Sequence, residues 1–263
     1  MANSSSPIGV FDSGIGGTSI WKEIQKLLPN EDSIYLSDSK NAPYGSKGKE
    51  RIIELAIKNT EFLLNQNCKL IVVACNTATT NAISYLRQTY DVPFIGIEPA
   101  IKPASIKTKT KVVGILATKG TLNSELFAKT SSTLNDDIII KEQVGTGLVE
   151  LIENGQIRSP EMTKLLESYI HPLLAQNADC LVLGCTHYPY LIPQIRNIVG
   201  DNFPIIDSGE AVARQTKNIL DKHSILSTST KKGVHRFYIN TKKEILNRFI
   251  PETESMTVKE LDF

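Results

Sequence analysis

Short apolar runs and longer amphipathic stretches alternate along this chain. The runs at residues 8–11, 70–74, 94–97, 112–116, 138–140, 181–183 and 204–206 are rich in Val, Ile and Leu. Their length and continuity predict strands buried on both faces, as in a parallel sheet. Between them, apolar residues recur at helical spacing. One such stretch carries Ile52, Ile53, Leu55, Ala56, Ile57, Thr60, Leu63 and Leu64; another runs through Met162, Leu165, Leu166, Tyr169, Ile170, Leu173 and Leu174. Ser159-Pro160-Glu161 opens the second with an N-cap hydroxyl, a proline at the first helical position and an acid in the first turn. Strands and helices in alternation predict an α/β fold with right-handed crossovers. Residues 227–232 are polar and read as an exposed loop before a strand at 234–239.

The chain also repeats itself. Leu63-Leu64-x-Gln66-Asn67-x4-Val72-x2-Cys75 is matched by Leu173-Leu174-x-Gln176-Asn177-x4-Val182-x2-Cys185, six identities at one offset (185 − 75 = 110). Pro93-Phe94-Ile95 recurs as Pro204-Ile205-Ile206, and Ile8-Gly9-Val10-Phe11 resembles Val113-Gly114-Ile115-Leu116. Apolar patterning alone explains the shared leucines. The shared Gln-Asn before the strand and the shared Cys at its end exceed what patterning needs. Two pseudo-symmetric α/β domains with mainly parallel sheets are therefore expected, each with a cysteine at the same carboxyl strand end. Boundaries near Ile97-Glu98-Pro99 and Ile206-Asp207-Ser208 give a first domain of residues 1–97 plus 208–263 and a second of 98–207. The active site is expected in the cleft between them.

Composition narrows the function classes. The 263 residues carry 29 Lys+Arg against 28 Asp+Glu, so the basic footprint that nucleic-acid phosphates demand is missing. Four cysteines with no C-x-x-C pair are too few for a disulfide scaffold. No apolar stretch approaches the roughly eighteen residues of a membrane span. The first seven residues lack a basic region, and Asp12 interrupts the apolar run that follows, so no signal peptide is expected. These features predict a cytoplasmic enzyme with reduced thiols and neither a nucleic-acid nor a membrane partner.

Ligands of open α/β sheets bind beyond the carboxyl ends of the strands. Four segments fall there: Asp12-Ser13-Gly14-Ile15-Gly16-Gly17, Cys75-Asn76-Thr77-Ala78, Ala117-Thr118-Lys119-Gly120-Thr121 and Gly184-Cys185-Thr186-His187-Tyr188-Pro189. Each places small polar residues and backbone N–H groups where a helix begins, which suits an anionic ligand. The glycine segment lacks the Lys-Ser/Thr of a P-loop and does not match the dinucleotide fingerprint; a tight turn explains it equally well. A carboxylate at a strand end makes Asp12 a candidate functional group, whereas Asp207-Ser208-Gly209 reads as an N-cap. Cys68 and Cys180 read as small buried hydrophobes. Cys75 and Cys185 sit instead at turns into helices, where a helix N-terminus lowers a thiol pKa. Three chemistries compete for them: a zinc site with His187, a redox disulfide, and acid–base work by two thiols on opposite sides of one substrate. The last suits racemisation, in which one base removes an α-proton and a conjugate acid returns one to the other face.

The motifs that follow are more specific. Ile8-Gly9-Val10-Phe11-Asp12-Ser13-Gly14-Ile15-Gly16-Gly17, Asp38-x4-Pro43-Tyr44-Gly45, Ala74-Cys75-Asn76-Thr77-Ala78, Gly96-Ile97-Glu98-Pro99-Ala100, Leu183-Gly184-Cys185-Thr186-His187-Tyr188-Pro189 and Ile206-Asp207-Ser208 occur in this order over residues 8–208. With them the chain resembles the glutamate branch of the aspartate/glutamate racemase family, which uses no cofactor. The resemblance implies interconversion of L- and D-glutamate for peptidoglycan. It implies that Cys75 deprotonates the D-enantiomer and Cys185 the L-enantiomer, assisted by Asp12 and His187 respectively. It implies substrate binding by Asp12, Ser13, Tyr44, Gly45, Asn76, Thr77, Thr186 and His187, with a hydroxyl from Thr118 and with Glu153 behind the second cysteine. No metal is implied, and the family commonly forms homodimers. One stretch departs from the family pattern: Gly145-Thr146 stands where many members carry Cys-Pro. Its distance from the thiol motifs leaves the expected activity unchanged and makes packing near Cys185, or regulation, the feature it would alter.

Overall fold

The computed structural model describes residues 3–263; Met1 and Ala2, at the start of the stretch read for a signal peptide, lie outside it. The chain begins with β1 (Ile8–Asp12), α1 (Thr18–Leu27), β2 (Ser33–Ser37), α2 (Lys49–Asn65), β3 (Leu70–Val73), α3 (Asn76–Thr89) and β4 (Phe94–Gly96). It continues through α4 (Ile101–Lys107), β5 (Val112–Ala117), α5 (Lys119–Leu122), α6 (Glu125–Ser131), β6 (Ile139–Val144) and α7 (Leu148–Glu153). Next come α8 (Pro160–Ala175), β7 (Cys180–Gly184), α9 (Ile192–Val199) and β8 (Ile205–Ile206). The last elements are α10 (Gly209–Lys222), β9 (His235–Ile239), α11 (Lys243–Asn247) and β10 (Met256–Glu260).

Two sheets result, ordered β10-β9-β2-β1-β3-β4 and β6-β5-β7-β8. Their strand pairs are parallel throughout. Without β9 and β10, the first sheet reads β2-β1-β3-β4, the same order as the second. The sequence repeat is thus a repeat of topology: β3 answers β7, and β4 answers β8. Parallel strands put all their carboxyl ends on one side of each sheet, where ligands of such folds bind.

The repeated Gln-Asn has a local cause. After α2, Asn67 adopts a φ of 57°, and after α8, Asn177 adopts a φ of 63°. In each case the Asn N–H returns to one leucine carbonyl (Leu64 or Leu174), and the next N–H returns to the leucine before it (Leu63 or Leu173). This is the left-handed helix stop that asparagine tolerates better than most side-chain-bearing residues. The Asn pair is therefore accounted for by folding. The matched cysteines are not.

Apolar patterning misjudged several strands. β6 is an edge strand whose Ile139 is 50% exposed, not one buried on both faces. Val234 is likewise exposed and lies before β9. β2 escaped notice because its two serines break the apolar run, yet all five of its residues are buried. The buried hydroxyls are satisfied: Ser33 Oγ accepts from Trp21 Nε1 at 2.8 Å and lies 2.9 Å from His235 Nδ1, while Ser37 Oγ meets Ser39 Oγ at 3.0 Å. β10 was missed for its charged end, which stays in solvent at the sheet edge. Ser159 caps α8 as expected, accepting from Met162 N at 3.1 Å. At α10 the cap instead comes from Asp207, whose Oδ1 accepts from Gly209 N at 2.7 Å. The Ser208 hydroxyl points elsewhere, donating to the Glu98 carbonyl.

The chain crosses between the sheets twice, just after β4 and just before α10. One continuous apolar cluster joins Ile8, Val10 and Ile15 of the first half to Leu148, Val149, Leu151 and Ile152 around α7 of the second. The facing strand ends are therefore held by packed side chains. Among the described residues no helix is long and apolar enough to cross a membrane.

Candidate active site

Cys75 and Cys185 line one cavity, although they come from different sheets. Each follows the carboxyl end of the equivalent strand, β3 or β7. Every other residue singled out above as catalytic or substrate-binding also lines that cavity, except Asp12. The cavity is nearly closed: about 10 Å³ is open to the centre of a water-sized molecule. That is room for about one water.

Cys75 is the N-cap of α3, its Sγ accepting from Ala78 N at 3.4 Å and lying 3.5 Å from Ser13 Oγ. The helix N-terminus alone would lower its pKa. Burial reverses the sign: desolvation, reinforced by the Asp12 carboxylate, pushes the thiol well above its usual range despite those two hydrogen bonds. Cys75 is therefore held as a thiol.

Asp12 lies fully buried beneath the cavity. Its Oδ2 accepts from Gly17 N at 2.9 Å and Gly14 N at 3.3 Å, and its Oδ1 from Thr186 Oγ1 at 3.3 Å. Burial pushes its pKa up to about 6, against the pull of His187 and the Gly17 N–H. Asp12 makes no hydrogen bond to Cys75; it acts on the thiol through charge. The glycine segment earns its composition here. A Cβ on Gly17 would stand 2.6 Å from Asp12 Cβ, and one on Gly16 would stand 2.3 Å from His187 Nδ1.

His187 follows Cys185 by two residues, its Nδ1 lying 3.8 Å from the Cys185 sulfur. Its Nε2 lies 2.6 Å from Glu153 Oε1. Burial works to deprotonate the ring, but the bonds to Cys185 and Glu153 prevail and raise its pKa well above 6.5. The imidazolium then has two donors, one for each partner. Glu153 is itself anchored: Oε1 accepts from Ile15 N at 2.8 Å, and Oε2 from Ser39 Oγ at 3.0 Å. Both donors belong to the first half of the chain, so one carboxylate of α7 fastens the halves together beside the second thiol.

The remaining wall is built from hydroxyls and an amide. Thr77 Oγ1 meets Thr118 Oγ1 at 2.9 Å, and Thr121 Oγ1 lies 3.0 Å from Thr118 and 3.4 Å from Thr77. The loop carrying Tyr44 and Gly45 lies over them; a Cβ on Gly45 would come within 2.9 Å of Thr118. The buried Asn76 side chain has neither amide atom hydrogen-bonded within the protein. A buried amide left unpaired costs free energy, so it is a ready partner for a polar ligand. Tyr44 donates to Asp38 and accepts from Asn59 Nδ2 at 3.2 Å. Burial and Asp38 keep the phenol protonated, its pKa raised well above 10.0.

Asn59 and Asn240 were not singled out from the sequence, and Thr121 and Asp38 were quoted in segments without a role of their own. No local signal marks Asn59 or Asn240, because their partners lie far away in the chain. At the departure, a Cβ on Gly145 would stand 2.3 Å from the Tyr188 hydroxyl, which donates to the Gly145 carbonyl at 3.1 Å. All four cysteines are free thiols. Among the described residues no three His, Cys, Asp or Glu side chains converge as a metal site.

Residues 8–216 match the family model described as Asp/Glu/Hydantoin racemase. A glutamate racemase of Ectopseudomonas mendocina is 48% identical over 229 residues, covering 87% of each chain. One from Pseudomonas putida is 44% identical over 252 residues, 95% of each. Among solved structures, a glutamate racemase isoform of Bacillus anthracis superposes with a TM-score of 0.88 at 30% identity, covering 98% of both chains. The glutamate racemase of Francisella tularensis in complex with D-glutamate gives 0.85 at 29% identity, again over 98% of both.

Proposed function

This chain belongs to the Asp/Glu/hydantoin racemase family and is an amino-acid racemase, and from that premise we propose that it interconverts L- and D-glutamate by a two-thiol mechanism. One observation carries the mechanism: two cysteines from equivalent strand ends of the two halves line a single cavity. In one direction the Cys75 thiolate takes the α-proton of D-glutamate, and the Cys185 thiol gives its own proton to the opposite face of the carbanion. L-glutamate leaves, Cys75 now a thiol and Cys185 a thiolate. The reverse direction exchanges their parts. Proton count and charge balance at each step, and no redox change occurs.

The surroundings support these parts. Since burial holds Cys75 as a thiol, its deprotonation needs a compensating positive charge, and the substrate ammonium supplies one. The His187 imidazolium donates from Nδ1 toward the Cys185 sulfur. Ser13, Tyr44, Gly45, Asn76, Thr77 and Thr186 would hold the substrate, with Thr118 completing the hydroxyl wall. Preorganised hydroxyl and N–H dipoles stabilise the charge that develops on the carbanion and its carboxylate. We read the two halves as residues 1–97 plus 208–263 and 98–207, the product as D-glutamate for peptidoglycan, and the working form as a homodimer in the cytoplasm.

The test is incubation with L-glutamate in deuterated water. Deuterium at Cα of the D-product and progress to an equal mixture of enantiomers are expected. Exchange with aspartate alone would move the substrate to the shorter acid, and exchange with neither would sink the reading. Sedimentation tests the dimer.

A further inference from the structure

The first half carries an extension that the second lacks: β9, α11 and β10, added beyond β2. In the second half the equivalent strand, β6, is left as a bare edge. Asn240 sits immediately after β9, where the register pairs Ile239 with Ser37 at the end of β2. The loop that leaves β2 there carries Asp38, then Lys40, and then Tyr44 and Gly45 at the cavity.

The Asn240 amide binds that loop in both senses. Its Oδ1 accepts from Lys40 N at 2.8 Å, and its Nδ2 donates to Asp38 Oδ1 at 2.5 Å. Asp38 is fully buried and passes the constraint on. Its Oδ1 also accepts from Asn41 Nδ2 at 2.8 Å, while its Oδ2 accepts the Tyr44 hydroxyl. Among ordinary side chains only an amide offers a donor and an acceptor side by side in this way. A second tie, between Lys40 Nζ and Asp262 at 3.2 Å, lies in solvent.

We propose that Asn240 is a positioning residue for substrate binding. Through Asp38 it fixes the loop that presents Tyr44 and Gly45 to the cavity, which gives the C-terminal extension a part in the site. This rests on the reading that Tyr44 and Gly45 contact glutamate.

In Asn240→Ala both bonds are lost. The KM for glutamate should rise about fivefold or more in both directions, with kcat changed by less than about twofold, because the thiols are untouched. Amide hydrogen exchange should quicken over residues 38–47 and not along β9 and β10. Asn240→Asp keeps the acceptor for Lys40 N–H but sets a carboxylate against Asp38, so its KM should rise further than that of the alanine variant. Asp262→Ala, which breaks only the exposed ion pair, should leave KM within about twofold. An unchanged KM and unchanged exchange in Asn240→Ala would overturn the proposal. So would faster exchange spread through β9 and β10, the mark of a merely weakened strand. Glutamate turnover by the unaltered enzyme tests the substrate reading, whereas the exchange comparison needs no substrate, so the two can fail separately.

Discussion

His187 and Glu153 face each other across 2.6 Å, Nε2 to Oε1, with the histidine 1% exposed. The contact lets a buried imidazole keep its proton beside the Cys185 sulfur. In Glu153→Gln that charge is lost while the Cys185 sulfur still favours the protonated ring, so its titration should fall below that of the wild type. Histidine Cε1 resonances followed against pH check this; an unmoved titration would show that Glu153 does not hold the proton. The linkage sign follows from the raised pKa. The pair stabilises the fold fully below pH 6.5, the unfolded value, and that contribution fades as pH rises through the folded pKa.

The two thiols make separate demands. Cys75→Ser and Cys185→Ser should each slow racemisation by about a hundredfold or more, since positioned acid–base groups contribute on that scale. Circular dichroism of the product enantiomers measures it in both directions. Near-normal turnover by either variant would eliminate the two-thiol mechanism.

Asp12 shows what the site costs the fold. Its pKa of about 6, against 3.8 for an ordinary aspartate, means that the folded state resists its charge. The destabilisation is full above pH 6, shrinks as pH falls through 6, and is gone below 3.8. Two units correspond to about 3 kcal/mol. Asp12→Asn should therefore melt at a higher temperature than the wild type at pH 8, keep about half of that advantage at pH 5 and lose it below pH 3.8, while losing activity. An equal Tm difference at pH 8 and pH 5 would refute the assignment.

Lys69 and Glu31 form a buried ion pair at 2.6 Å, away from the cavity. Lys69 Nζ also donates to the Ser4 carbonyl at 2.7 Å, and Glu31 Oε1 accepts from Ser227 N at 2.6 Å, so the pair ties two loops to the amino ends of β2 and β3. Removing one partner leaves a buried charge alone. Lys69→Met should cost about 3–5 kcal/mol by urea denaturation, and adding Glu31→Leu should restore much of it. A loss in the double variant equal to the sum of the two single losses would mean that the two charges do not depend on each other.

Much of the architecture is local information and could be read from the chain. The apolar runs marked most strands, Ser159 marked a helix start, and the Gln-Asn pair repeated because two helices stop in the same left-handed turn. Patterning failed where burial and polarity part company. Ser33 and Ser37 lie inside a sheet because Trp21 Nε1 and neighbouring hydroxyls bond to them, and Ile139 lies on an edge because no strand pairs with the outer side of β6.

The chemistry divides along the same line. The sequence by itself determined the chemical groups: two thiols after matched strands, an aspartate at a strand end and a histidine beside the second cysteine. Only the tertiary structure decided their states. Burial holds Cys75 as a thiol and raises Asp12 to about 6, while Cys185 and, from α7, Glu153 keep His187 protonated. Asn240 reaches Asp38 from the far end of the chain. A residue's identity is local, but its desolvation and its partners are set by whatever the fold packs around it. These interactions link positions far apart in the chain, and no periodicity records them.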